Sequence, residues 1–235
     1  MSSKIKYTSW PLGKIPKKFQ RTELDQIKEF GYKWEDPRDV IDMFEKKVAG
    51  FAGAKYAVAI DCCSHGLFLC LKYISKPQKI TIPKRTYVSV PMQIIHAGYQ
   101  LEFADINWEG LYQLKPLNLW DSAVRWTKGM YVGNNALQVV SFQIKKRVPI
   151  GRGGMILTDD ENAYQWLKKA SYDGRNLQKP YMEDDFDMLG WHYYMTPEDA
   201  ARGILLMDQI PDETPDSGGS NNYSDLSIKS IFKEY

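Results

Sequence analysis

Cysteine is scarce in this chain of 235 residues, and the three present, Cys62, Cys63 and Cys70, are crowded into one stretch. Neighbouring cysteines cannot staple distant parts of a fold, so a disulfide scaffold is excluded and the reduced thiols of a cytoplasmic protein are expected. Neither charge sign is in excess: 31 Lys and Arg face 29 Asp and Glu, a net charge of +2. That balance leaves no electrostatic footprint for nucleic acid or a membrane surface, and neither is expected as a partner. Long apolar runs are missing too. Met1 to Lys18 mixes lysines with Trp10 and Pro11 and holds no run of signal-peptide length, and no later segment approaches the ~20 residues of a membrane span. A soluble, intracellular protein is the resulting expectation. No internal repeat is visible.

What is present suffices for one substantial core, since 43% of the residues are hydrophobic. Leu24, Ile27 and Phe30, then Val40, Ile41, Phe44 and Val48, recur at helical intervals, with the Gly31–Arg38 stretch between two helices. Tyr56–Ile60 has the length of a buried strand, and Ser64 is placed to cap a helix through Leu67, Leu71 and Tyr73. The unit repeats as a strand over Lys79–Ile82, a helix over Val88–His96 and a strand over Leu101–Ile106. Further strands are expected at Leu117–Asp121, Leu137–Phe142 and Met155–Thr158, and further helices at Asn162–Ala170 and Pro197–Gln209. Such alternation predicts an α/β fold, a three-layer sandwich with a mostly parallel central sheet. Residues 1–210 would form one domain. The stretch from Pro211 to Asn222, dominated by Pro, Asp, Ser, Gly and Asn, has the composition of a flexible linker, so residues 211–235 read as a linker and short tail.

Sheets of this kind bind ligands at the carboxyl ends of their strands. Four candidates stand just there: Cys63 with Ser64, Thr86 with Tyr87, Asp121, and the Ser141–Lys146 segment. Together they offer a helix N-terminus, an aromatic ring, a carboxylate, a hydroxyl and an amine, the set that pyridoxal phosphate needs. Each also has an ordinary explanation. Ser64 opens a helix whose free N–H groups suit a phosphate, or it is a plain N-cap. Asp121 faces a pyridinium, or caps a turn. Lys146 is an amine for a carbonyl cofactor, or part of the solvated run Lys145–Lys146–Arg147. Tyr87 stacks on a ring, or packs at a rim.

Taken in order, the segments resemble the DegT/StrS-type sugar aminotransferase family, pyridoxal phosphate enzymes of fold type I. Phe44–Leu71 is similar to its opening helix, strand and phosphate-binding turn, which puts Cys63 and Ser64 at the phosphate. Ile82–Val88 is similar to the segment whose aromatic residue covers the cofactor ring, pointing to Tyr87, and Asp121 with Ser122 and Ala123 resembles the pyridine-binding motif. The family's Ser-Phe-His-x-x-Lys spacing makes Ser141 a phosphate ligand and Lys146 the Schiff-base lysine. Gly190–Gln209 resembles the Gly-Tyr-Asn-Tyr-Arg-Met segment with its following helix, and places His192 where an Asn reaches the partner's phosphate.

The resemblance implies pyridoxal 5'-phosphate as cofactor, Lys146 and Asp121 as catalytic residues, an amino acid donor such as glutamate, a keto-sugar nucleotide acceptor, and a homodimer with a shared site. It implies no metal. The chain also departs from the family. Val124 replaces a Gln or His that contacts the ring hydroxyl, Arg152 replaces the Glu of Glu-Gly-Gly, and Tyr194 replaces an Arg. Ile106–Trp120 is too short for the family's additional strand and helix, and the C-terminal small domain is expected to be missing beyond Tyr223. These departures motivate an alternative, a degenerate, inactive homologue that acts as a cofactor- or partner-binding module. A sugar dehydratase is disfavoured, because that branch carries His where Lys146 stands.

Overall fold

Alternation along the strands divides the core in two. In β1 (Tyr56–Ile60) Ala57 and Ala59 enter one apolar cluster while Val58 and Ile60 enter the other, and in β7 (Gly154–Thr158) Met155 and Leu157 part in the same way from Ile156. The first cluster is covered by α1 (Glu23–Glu29), α2 (Asp39–Ala52) and α6 (Pro197–Met207). The second is covered by α3 (Cys63–Ile74), α4 (Ser89–His96) and α5 (Glu161–Ser171). Helices on both faces of a sheet make the three-layer α/β sandwich. The computed structural model describes residues 18, 20–76 and 78–235; the reading of Met1–Lys18 as free of apolar runs falls, Lys18 apart, outside the described residues.

The helices form where the apolar intervals put them. Val40, Ile41, Phe44 and Val48 are all buried along α2, which ends where Gly53 turns left-handed at φ 80° and gives its N–H to Ala49. One detail of capping differs from the sequence reading: the Cys62 Sγ, and not Ser64, accepts the N–H of His65, so Ser64 sits inside the first turn of α3. Ser is among the commonest capping residues, and here the sulfur of Cys62 does the same work one position before the helix.

The five-stranded sheet has the order β1, β7, β6 (Leu137–Ser141), β5 (Leu119–Asp121), β4 (Tyr112–Gln113), while β2 (Lys79–Pro83) and β3 (Gln100–Ala104) pair in parallel beside it. β5 and β6 pair in parallel, β7 runs against both β6 and β1, and β4 runs against β5. Strands β1, β5 and β6 therefore share one direction. The short Ile106–Trp120 segment contains no crossover helix. It folds into the β4–β5 hairpin, and Lys115, reached just after β4, exchanges backbone hydrogen bonds of 2.8 and 3.1 Å with Thr81 of β2. Since the pairing at Thr81 is also antiparallel, β2 and β3 run with β5, and the hairpin links the β2–β3 pair to the five-stranded sheet.

Pro211–Asn222, the stretch with a linker's composition, is held against the domain. Lys128 Nζ donates to Asp212, Thr214 Oγ1 to the Trp126 carbonyl, Arg147 to the Pro215 carbonyl, and Arg125 forks onto Asp216 at 3.0 and 2.6 Å. Composition reported the polar backbone correctly, but these long-range cations were not visible to it. No helix among the described residues is long and apolar enough to cross a membrane.

Candidate active site

The ends of β5 and β6, the N-terminus of α3, the β2–α4 loop and the turn after β6 converge on one cavity of about 690 Å³. Its lining includes Cys63, Ser64, Tyr87, Asp121, Ser141 and Lys146. Six of the seven residues singled out from the sequence are thus brought together. The seventh, His192, does not line it: its exposed ring is bonded to Asp173 at 2.8 Å and packs edge-on against Tyr194.

Asp121 ends β5, is 5% exposed, and is met only by neutral donors. Tyr112 Oη donates to one oxygen at 2.8 Å and the Ala123 N–H to the other at 3.0 Å. Tyr112 in turn shares a 2.5 Å hydrogen bond with Thr86. Burial pushes the Asp121 carboxyl up, while those donors and the charge of Lys146 pull it down. No ion pair to Asp121 occurs among the described residues.

Lys146 is presented by a tight turn. Phe142 pairs with Gly153 and Gly151 as the chain leaves β6, its ring sinks into the core, and Lys146 gives its N–H to the Gln143 carbonyl at 2.8 Å. The result leaves Lys146 half-buried in the cavity and Lys145 exposed. Across from it, Cys63 and Ser64 open α3, where the first-turn N–H groups have no intrahelical acceptor. Gly154 makes that turn possible, because a Cβ there would lie 2.7 Å from the Cys63 nitrogen. Cys63 itself is a half-buried thiol, which desolvation and then the Asp121 charge push well above its ordinary range, so it stays neutral.

These groups fit pyridoxal phosphate on the chemistry of the donor set. The α3 N-terminus, with the Ser64 and Ser141 hydroxyls, suits a phosphate. Asp121, buried and without a cation, suits a protonated ring nitrogen, and Lys146 supplies the amine. The family model of the DegT/DnrJ/EryC1/StrS aminotransferases matches residues 18–119 and 122–215. The chain belongs to this family. It is 28% identical over 196 residues to the spore coat polysaccharide biosynthesis protein SpsC of Bacillus subtilis, covering 65% of this chain and 50% of that protein. To the GDP-perosamine synthase of Escherichia coli O157:H7 it is 25% identical over 215 residues, 73% of this chain and 58% of that one. The crystal structure of AtS13 from Actinomadura melliaura superposes with a TM-score of 0.67 at 17% identity, over 80% of this chain and 64% of that one, and establishes the shared fold. The chain thus spans a little over half the length of the curated relatives it matches.

Where this chain of the aminotransferase family departs from its motifs, the side chains have other partners. Val124 lines the cavity with methyl groups only. Arg152 reaches Asp61 at 2.8 Å, and the other oxygen of Asp61 bonds His65, whose ring is stacked on Tyr193. Tyr194 stacks on Tyr172 at 4.1 Å. Sequence reasoning did not find Tyr112 and Trp108 of the hairpin, nor Ser217, Gly218, Asn222 and Tyr223 of the carboxyl-terminal segment, all of which border or support the cavity. No local spacing marks them, since each arrives through pairing distant in sequence.

Proposed function

We propose that the cavity binds pyridoxal phosphate and that the chain moves an amino group from an amino acid donor such as glutamate to a keto-sugar nucleotide. The observation that carries this reading is a buried carboxylate without a cation, Asp121, sharing one cavity with the Lys146 amine and the open N-terminus of α3. When bound, the cofactor supplies an electron sink that holds and then passes on the amino group. The residues of the chain do the rest. Ser64, Ser141 and the N–H groups of Cys63 and Ser64 hold the phosphate, Asp121 keeps the proton on the ring nitrogen, and Tyr87 covers the ring. Lys146 Nζ is the covalent anchor and, once released, the base that moves a proton at the reacting carbon.

A homodimer belongs to the same proposal. Leu189 and Met182, at 93% and 90% exposure, lie with Tyr181 and Phe186 on the segment before His192, an apolar surface that a second copy would cover. His192 would then serve the partner's site, in keeping with its distance from this chain's own cavity.

The test is spectroscopic and catalytic. Wild-type protein mixed with pyridoxal phosphate should turn yellow and transfer the amino group of glutamate to at least one of a panel of keto-sugar nucleotides. Lys146→Ala should lose both the colour and turnover. A variant that stays yellow and active refutes the assignment, and a coloured wild type inactive on every acceptor favours the binding-module alternative.

A further inference from the structure

The cavity has a wall that the family match does not reach. Matched residues end at 215, yet Ser217, Gly218, Asn222 and Tyr223 all line the cavity. This wall is built into the fold. Beyond the Arg125–Asp216 fork, the Ser217 N–H donates to the Val124 carbonyl at 2.8 Å, the Gly110 N–H to the Gly218 carbonyl at 3.0 Å, and the Ser220 N–H to the Trp108 carbonyl at 2.9 Å. Two glycines are required for the approach. A Cβ on Gly110, which sits at φ 72°, would lie 2.0 Å from an Asp216 oxygen, and one on Gly219 would lie 2.4 Å from the Trp108 carbonyl.

Within the wall, two side chains are oriented before any ligand arrives. The half-buried ring of Tyr223 stacks on Trp108, with centroids 5.8 Å apart and planes at 22°, and Trp108 is itself fixed by a 2.8 Å bond from its indole N–H to the Arg85 carbonyl. The Asn222 amide oxygen accepts the Gly219 N–H at 2.8 Å, which leaves its NH₂ end as the group able to donate into the cavity. Asn222 also stands beside Val124: a Cβ built on Gly218 would be 3.1 Å from the Asn222 oxygen and 3.6 Å from a Val124 methyl. Tyr223 lines the same cavity as Asp121, and burial, followed by the charge of that carboxylate, raises its hydroxyl.

We propose that Ser217–Tyr223 is the closing wall of the cofactor site, and that Tyr223, through its ring, and Asn222, through its amide, are cofactor-binding residues of this chain. The proposal rests on the pyridoxal phosphate reading above. A preorganised aromatic face is worth about a tenfold change in affinity, and one amide donor about a few-fold change.

Equilibrium titration with pyridoxal phosphate, followed by visible absorbance and independently by tryptophan quenching, tests it. Tyr223→Ala should weaken binding about tenfold and Asn222→Ala a few-fold, while Tyr223→Phe keeps the affinity but shifts the pH midpoint of the visible band, which a remote clasp would not do. Asp216→Asn, which touches no ligand, should loosen the wall and speed cofactor release. Wild-type affinity in folded Tyr223→Ala and Asn222→Ala overturns the proposal, and if the first does not fold, unchanged affinity in Asn222→Ala and Asp216→Asn overturns it. A wild type that never acquires the Lys146-dependent band refutes the cofactor reading itself and this wall with it, whereas a band retained undiminished by the wall variants refutes the wall alone.

Discussion

Asp121 and Glu45 are both buried carboxylates, on different sides of the sheet, and the chain meets them differently. Glu45 of α2 accepts the Ala59 N–H at 2.7 Å and pairs directly with Lys168 Nζ at 2.8 Å, and Lys168 also reaches Asp42. Asp121 has two neutral donors, with Lys146 in the same cavity but not bonded to it. A buried charge is tolerated when a countercharge sits against it. Glu45 is paired by the chain itself, whereas Asp121 has no ion-pair partner among the described residues, as the proposed partnership with a protonated ring nitrogen requires.

Each half of that contrast can be broken. Asp121→Asn should cost about 10²- to 10³-fold in turnover, the scale of removing one well-placed electrostatic partner, measured as initial rates of amino transfer. The cofactor-free variant should keep its melting temperature, because no ion pair is lost; a large drop would mean that Asp121 is structural. Lys168→Met should do the reverse, with a loss of about 3 kcal/mol of stability at about pH 8 from stranding Glu45, read from urea melts, and cofactor affinity unchanged.

A smaller effect sharpens the same point. Burial pushes Glu45 up to about 7 from an ordinary 4.5. Between those values the folded chain holds the proton more tightly than the unfolded one, so this group's contribution is full at lower pH and is lost as the pH rises through about 7. Melts between about pH 5 and 8 should show that decline, and Glu45→Gln should flatten it.

Helices and strands were legible because their signals are local. The intervals of Val40, Ile41, Phe44 and Val48 and the short apolar runs at Tyr56 and Leu137 fixed element type, and each element appears within a few residues of where the pattern set it. The cavity residues were legible for a related reason: strand ends, helix starts and the Ser141–Lys146 interval are features of sequence order. Tyr112 was not, because its role depends on a hairpin that folds it back onto Asp121. Pro211–Asn222 misled for the same reason, since composition describes what a segment lacks and not which distant arginine holds it.

The sequence by itself determined the α/β alternation, the two apolar faces and the order of the chemical groups along the chain, since periodicity and spacing are properties of neighbours. Only the tertiary structure decided that Asp121 is buried with no ion-pair partner among the described residues, that a hairpin lies between β2 and β5, and that residues 217–223 return to line the cavity. Those outcomes depend on dielectric surroundings and on hydrogen bonds between residues as far apart as Arg125 and Asp216, which exist only once the chain has folded.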